Sequence, residues 1–118
     1  MKYAFLVYGD DSAWVDLSEE EQGELRAQEM PRWMTLFDEL QKADPSLAGY
    51  ELDGRNAAKV VRVRNGERIV TDGPFAETKE VVGGVFVIDL PDLGEAIRLA
   101  ALVPTAEHGS LEIRPLVE

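Results

Sequence analysis

The run AKVVRVRNGERIVTDG, residues 58–73, constrains the fold more than any other stretch of the chain. Two segments rich in β-branched residues flank Asn65-Gly66, the dipeptide that accepts the positive φ angles of a type I′ turn most readily. A β-hairpin is expected here. Side chains alternate along a strand, so Arg62 and Arg64 share one face while Val61 and Val63 share the other.

The elements around the hairpin follow from periodicity. Tyr3, Phe5 and Val7 alternate with Ala4, Leu6 and Tyr8 until Gly9-Asp10-Asp11 stops the run, which predicts a first strand buried on both faces or nearly so. Ser18 with Glu21 three residues on forms a capping box, and Glu19 and Glu20 suit the positive end of a helix. Met30, Trp33, Met34, Phe37 and Leu40 then keep helical spacing, so one stripe should face a core. Pro31 is expected to kink this helix or split it, because its ring removes a donor and crowds the preceding turn. Asp44-Pro45 ends the helix and GYELDG offers a short second strand. GGVFVIDL is apolar enough for a central strand. Asp92 with Glu95 caps a second helix, with Leu93, Ala96, Ile97 and Ala100 on one face and Pro104 closing it. SLEIRPLV is the last strand, and Pro115 suits an edge or a bulge.

The order is β, α, β, hairpin, β, α, β within one domain spanning residues 1–118, as the length suggests. Helices at this spacing between strands predict an α+β fold, a ferredoxin-like βαβ-hairpin-βαβ sandwich with an antiparallel sheet. Its two helices cover one face of the sheet. The other face needs a cover, and a second copy is the simplest one, so a homodimer packed sheet to sheet is expected.

Composition excludes several functions. The net charge of −11 opposes a nucleic-acid surface, which needs a basic patch to displace counterions. With no cysteine there is neither a disulfide scaffold nor thiolate chemistry, and His108 and scattered carboxylates make no metal-ligand spacing. No nucleophile elbow, P-loop or dinucleotide fingerprint occurs, so no cofactor is expected. The first apolar run is too short for a signal peptide or a membrane span, which leaves the cytoplasm as the expected compartment.

The tetrapeptide Asp72-Gly73-Pro74-Phe75, continued as Ala76-Glu77-Thr78-Lys79-Glu80 and then Gly83-Gly84, resembles the signature of the DGPF group of YCII-related proteins. The opening MKYAFLVYGDD, the hairpin, VIDLPDLGEAI and the closing AEHGSLEIRPLVE extend the resemblance, which is weakest between Met30 and Asn56. It implies a dimeric α+β barrel, a fold shared with muconolactone isomerase-like enzymes. A histidine–aspartate pair is suggested as catalytic in YCII relatives. DGPF-group members often accompany extracytoplasmic-function sigma factors, and no activity is assigned to them.

Two residues carry the catalytic expectation. Asp72 is either an Asx residue satisfying its own turn or a carboxylate acting as base or orienting an imidazole. His108, the single histidine, is either a loop residue or a proton carrier, since an imidazole ordinarily titrates near pH 6.5. Arg62 and Arg64 belong to a solvated hairpin face or, with Lys59 and Arg68, hold an anionic ligand or a partner's acidic residues. Phe75 is expected as a small-core anchor for its loop rather than a stacking platform. Glu77, Lys79 and Glu80 read as a solvated loop, with Lys79 as a contact for a ligand carboxylate in the functional reading. Tyr8 is either core-facing or a polar tip at a pocket mouth. Two functions follow. One is a dimer binding a small organic, anionic molecule with acid–base chemistry by His108 and Asp72. The other is a non-catalytic regulatory partner, for example of a sigma factor.

Overall fold

The computed structural model of the chain describes residues 1–75 and 78–118. Strand β1 (Lys2–Gly9) leads through a one-turn helix α1 (Ser12–Val15) into the long helix α2 (Glu19–Ala43). Strand β2 (Ala48–Glu51), the hairpin β3 (Lys59–Arg64) and β4 (Glu67–Asp72), and strand β5 (Val81–Asp89) follow. Helix α3 (Leu93–Ala100) and strand β6 (Ser110–Pro115) complete the described chain. The main sheet runs β2-β5-β1-β6 with every neighbouring pair antiparallel. This α+β arrangement is compatible with a ferredoxin-like fold. GGVFVIDL is an inner strand as expected, and Pro115 sits on an edge strand where its missing donor costs no ladder bond.

Alternation in β1 and β5 decides which side is core. Tyr3, Phe5 and Val7 point with Phe86 and Ile88 toward the helices, where Leu36, Leu40, Ala96, Leu99 and Ala100 meet them and all are buried. Ala4, Leu6 and Tyr8 pair with Val87, Val85 and Val82 on the opposite, half-covered face, so β1 is buried on one side only. A register shift between Val7 and Tyr8 preserves the alternation past Gly83.

The helix ends form as their residues dictate. Ser18 Oγ accepts from the Glu21 amide and Glu21 Oε1 accepts from the Ser18 amide, both halves of a capping box. Asp92 likewise accepts from the Glu95 amide. Three expectations need correction. Of the two outcomes expected at Pro31, the split does not occur, since α2 runs unbroken for 25 residues. Its missing bond falls where Ala27, Met30 and Arg32 are all exposed, which leaves the freed carbonyl open to solvent. The buried stripe of α2 is Leu36 and Leu40, flanked by Trp33 and Phe37, while Met30 and Met34 remain exposed. The buried face of α3 is Ala96, Leu99 and Ala100, and Leu93 and Ile97 face solvent.

Asp44 closes α2 and also ties it to the sheet. Its Oδ2 accepts from the Asp89 amide at 2.9 Å, and its Oδ1 accepts from the Ser46 amide and hydroxyl at 3.0 and 2.7 Å. These donors, the Asp89 amide foremost, hold the Asp44 carboxyl below its ordinary value of 3.8. A depressed carboxyl stabilises the fold fully above its unfolded-state value and loses that stabilisation as pH falls through the folded-state value. Acid unfolding followed by circular dichroism is therefore expected to steepen below pH 3.8, and Asp44→Asn to flatten that limb.

Strands β3 and β4 form a separate two-stranded sheet, with Asn65 and Gly66 at φ +52° and +77° in the turn. The register pairs Val61 with Val70 and Val63 with Arg68, and on the other face Arg62 with Ile69 and Arg64 with Glu67. The hairpin is an excursion from the body. The radius of gyration is 16.2 Å, against about 13.5 Å for a compact domain of this length.

Candidate functional site

At the base of the hairpin, an open cleft of ≈ 670 Å³ lies between the end of β1, residues 52–58, the turn at Pro74 and Phe75, and residues 78–82. Its walls are mostly apolar, from Tyr8, Leu52, Ala58, Phe75 and Val82, with Asp53, Arg55, Thr78 and Glu80 as the polar groups. A second depression of ≈ 450 Å³ is bounded by Asp38, Gln41, Lys42 and Pro45, side chains at the surface end of α2. It lacks the mixture of apolar wall and convergent polar groups that marks a ligand site.

Arg55 organises the cleft, although nothing in its local sequence marks it. Its backbone amide donates to Asp11 Oδ2 at 2.9 Å and its Nε donates to Asp11 Oδ1. Its terminal nitrogens donate to the carbonyl oxygens of Thr78 at 3.0 Å and Lys79 at 2.8 Å, and to Asp10 Oδ1 at 3.2 Å. One guanidinium thus joins the end of β1, the 54–57 turn and the loop after Phe75. Arg side chains suit this work because their donors form a rigid planar fork. Asp10 is preorganised by Ser12, whose hydroxyl and amide donate to it at 2.6 and 3.0 Å and hold its carboxyl below the usual range. With its donors spent on protein oxygens, Arg55 is a brace rather than a free cation.

The Asp72–Phe75 turn is fixed by close backbone approach. The Gly73 amide donates to the Ala58 carbonyl at 2.8 Å, and a Cβ at Gly73 would stand 2.8 Å from the Ala58 methyl. Only glycine permits that contact. The Gly73–Pro74 peptide is cis.

The structure places the expected residues unequally. Tyr8 lies on the open face and lines the cleft, which answers the question left by its alternating position. Phe75 is not a core anchor. It is 77% exposed at the cleft wall, with the Arg62 guanidinium 5.4 Å from its ring centroid in cation–π geometry. A turn held by the backbone contact at Gly73 leaves its ring no core to enter. Arg64 sits beside the hairpin turn, donating to the neighbouring Val63 carbonyl, away from the cleft. Lys79 contributes its carbonyl to Arg55, and Glu77 lies outside the described residues.

Asp72 and His108 are not hydrogen-bonded to each other within the protomer. Asp72 is 86% exposed and forms an ion pair with Lys59, which holds its carboxyl below the ordinary range. His108 ends the short 3-10 turn Pro104–Glu107, immediately before Gly109, whose α-carbon lies against the Tyr8 carbonyl. Ser110, the first residue of β6, donates to Oε2 of the lining Glu80 at 3.1 Å. His108 thus precedes β6 and is not among the residues that line the cleft, whereas Asp72 belongs to the hairpin. Among the described residues no group of three or more His, Asp and Glu side chains is placed to hold a metal ion, and no helix is long and apolar enough to cross a membrane.

Comparison with known proteins shows the wider family, with which the DGPF signature is compatible. The family model described as "YCII-related domain" matches residues 1–118. An uncharacterised protein of Rhizobium meliloti (strain 1021) is 38% identical over 118 residues, covering 98% of this chain and 92% of the relative. The chain belongs to the YCII-related family.

Proposed function

We propose that this YCII-related protein, of the DGPF group, is a cytoplasmic homodimer that binds a small organic anion in the cleft beneath the Asp72–Phe75 turn. The observation that carries the reading is the construction of that cleft. Apolar walls at Tyr8, Phe75 and Val82 meet a loop that Arg55 holds in place, so the site exists before a ligand arrives. The cation beside Phe75, rather than the carboxylates Asp53 and Glu80 that also line the cleft, sets the ligand class. Arg55 is neutralised by Asp10 and Asp11, whereas Arg62 has no carboxylate partner among the described residues and stands over the exposed Phe75 ring. A flat carboxylate stacked on Phe75 and paired with Arg62 satisfies both groups.

The open sheet face, with Leu6, Val85, Val87 and the exposed Tyr50, is read as the surface that a second copy covers to complete a dimeric α+β barrel. Acid–base chemistry by His108 and Asp72 extends the proposal. It requires the two side chains to converge on the ligand from the start of β6 and the hairpin. The second reading, a regulatory protein partner such as a sigma factor, is favoured by a different observation, the exposed valines of the hairpin.

Thermal unfolding in the presence of aromatic and aliphatic carboxylates tests the ligand. A bound acid at one hundred times its Kd adds about 2.7 kcal/mol, a rise of several degrees. Phe75→Ala, at so exposed a position, should alter stability by no more than about 0.5 kcal/mol. It is nevertheless expected to abolish the ligand-induced rise. A rise of equal size in the variant, or none in the native protein with any acid, would sink the assignment of this cleft.

A further inference from the structure

We propose that the β3–β4 hairpin is an arm that lays its valine face on a second copy of the chain. This rests on the dimeric reading above and adds to its sheet-to-sheet contact a second one, made by the hairpin. Three independent features point to it.

The first is an apolar face without a partner. Val61, Val63 and Val70 lie together on one side of the hairpin and are 61, 62 and 55% exposed. The opposite side is turned to its own chain, where Arg62 reaches Phe75. An isolated two-stranded ribbon is marginal in water and keeps its shape only when one face packs on something.

The second is area. The protomer exposes 8239 Å². A compact monomer of 13.1 kDa exposes about 6,400 Å² by the usual scaling, so the surplus is about 1,800 Å². A specific interface buries about 1,600 Å² over both partners, so the surplus of one protomer is ample to form one. The large radius of gyration says the same in another dimension.

The third is charge. Residues 59–72 carry Lys59, Arg62, Arg64 and Arg68 against Glu67 and Asp72, a net +2 in a chain of net −11, which leaves −13 on the body. A basic arm and an acidic body within one chain are complementary between copies. Arg68, on the valine face opposite Val63, then meets carboxylates of the other copy. Such pairing orients and steers the association while the valines supply the apolar contact.

Light scattering and sedimentation of the full chain test this. The native protein should be a dimer. Val61→Thr with Val63→Thr keeps β-branched shape and strand propensity, so the hairpin is retained while its apolar contact is lost. This variant should dissociate at least tenfold more readily, with an unchanged far-ultraviolet circular dichroism spectrum of the separated protomer. Arg68→Glu should weaken the dimer more at low salt than at high salt. A native dimer indifferent to all three substitutions would overturn the arm and leave the sheet-to-sheet dimer standing. A monomeric native protein would overturn both, and would turn the valine face toward a different protein partner.

Discussion

Arg55→Ala is expected to lower the stability of the protein by about 2–3 kcal/mol, the usual weight of a charge-assisted hydrogen-bond group whose partners are partly buried. For a domain of this size that is a fall of about 10 °C in the thermal midpoint. The side chain is 21% exposed and its partner Asp11 24%, so water replaces the lost donors only in part. Removing the guanidinium leaves the Asp10 and Asp11 carboxylates facing each other at the end of β1, and frees the Thr78 and Lys79 carbonyls. The distinctive result is local. Hydrogen exchange at residues 78–82, the wall of the cleft, should accelerate more than exchange in the core strands. Arg55→Lys should not rescue it, because one ammonium cannot span two loops and two carboxylates. In a double-mutant cycle with Asp11→Ala, a coupling near zero would show that the brace is not a unit.

That residue also shows where reading the sequence stops. The hairpin was legible because every determinant is adjacent. Asn65-Gly66 sets the turn, and the register of β3 on β4 follows from it. The caps at Ser18 and Asp92 were legible for the same reason, each needing only a partner three residues away. Arg55 has partners 44 and 45 residues upstream and 23 and 24 downstream. No local pattern encodes such a convergence, which exists only once β1 and β5 lie side by side. The one available hint was Asp10-x-Ser12, an Asx turn that marks α1 and fixes Asp10 for its later role.

Conversely, an apolar stripe at helical spacing need not be core. Met30, Met34, Leu93 and Ile97 have the right helical spacing, yet they are exposed in the protomer. Periodicity reports which face a helix can bury, not how far the sheet beneath it extends. α2 is 25 residues long, about 37 Å, whereas the strands of the sheet it crosses are four to nine residues. Its residues up to Arg32 are almost all exposed, and Arg26 and Arg32 there form ion pairs with Glu51 and Glu107. Phe75 failed as a core anchor for a related reason. Hydrophobicity alone does not bury a ring whose turn is already committed to backbone contacts at Gly73.

Gly109→Ala is expected to be at least as damaging, at about 3 kcal/mol, and for a backbone reason. A methyl at Gly109 would overlap the Tyr8 carbonyl oxygen and stand 3.1 and 3.2 Å from Thr105 Cγ2 and the Thr105 carbonyl oxygen. Two of these three neighbours are main-chain atoms of β1 and of the 3-10 turn, so no side-chain rotation relieves the overlap. The strand must retreat, at the upper end of the cost of overpacking. The pairing of Tyr8 with Ser110 and the Gly109 amide bond to the Thr105 carbonyl at 2.7 Å are the contacts first affected. Tyr8 lines the cleft and His108 precedes the substituted residue, so the variant displaces both at once. Because His108 is the single histidine, its imidazole Hε1 gives one unambiguous resonance in the native chain. The variant should lower the thermal midpoint by about 10 °C and move that resonance together with those of Tyr8. If the midpoint falls and the histidine resonance stays in place, His108 does not share the environment of the cleft. Its part in the proposed proton chemistry would then be lost, while ligand binding at Phe75 and Arg62 would remain to be judged on its own test.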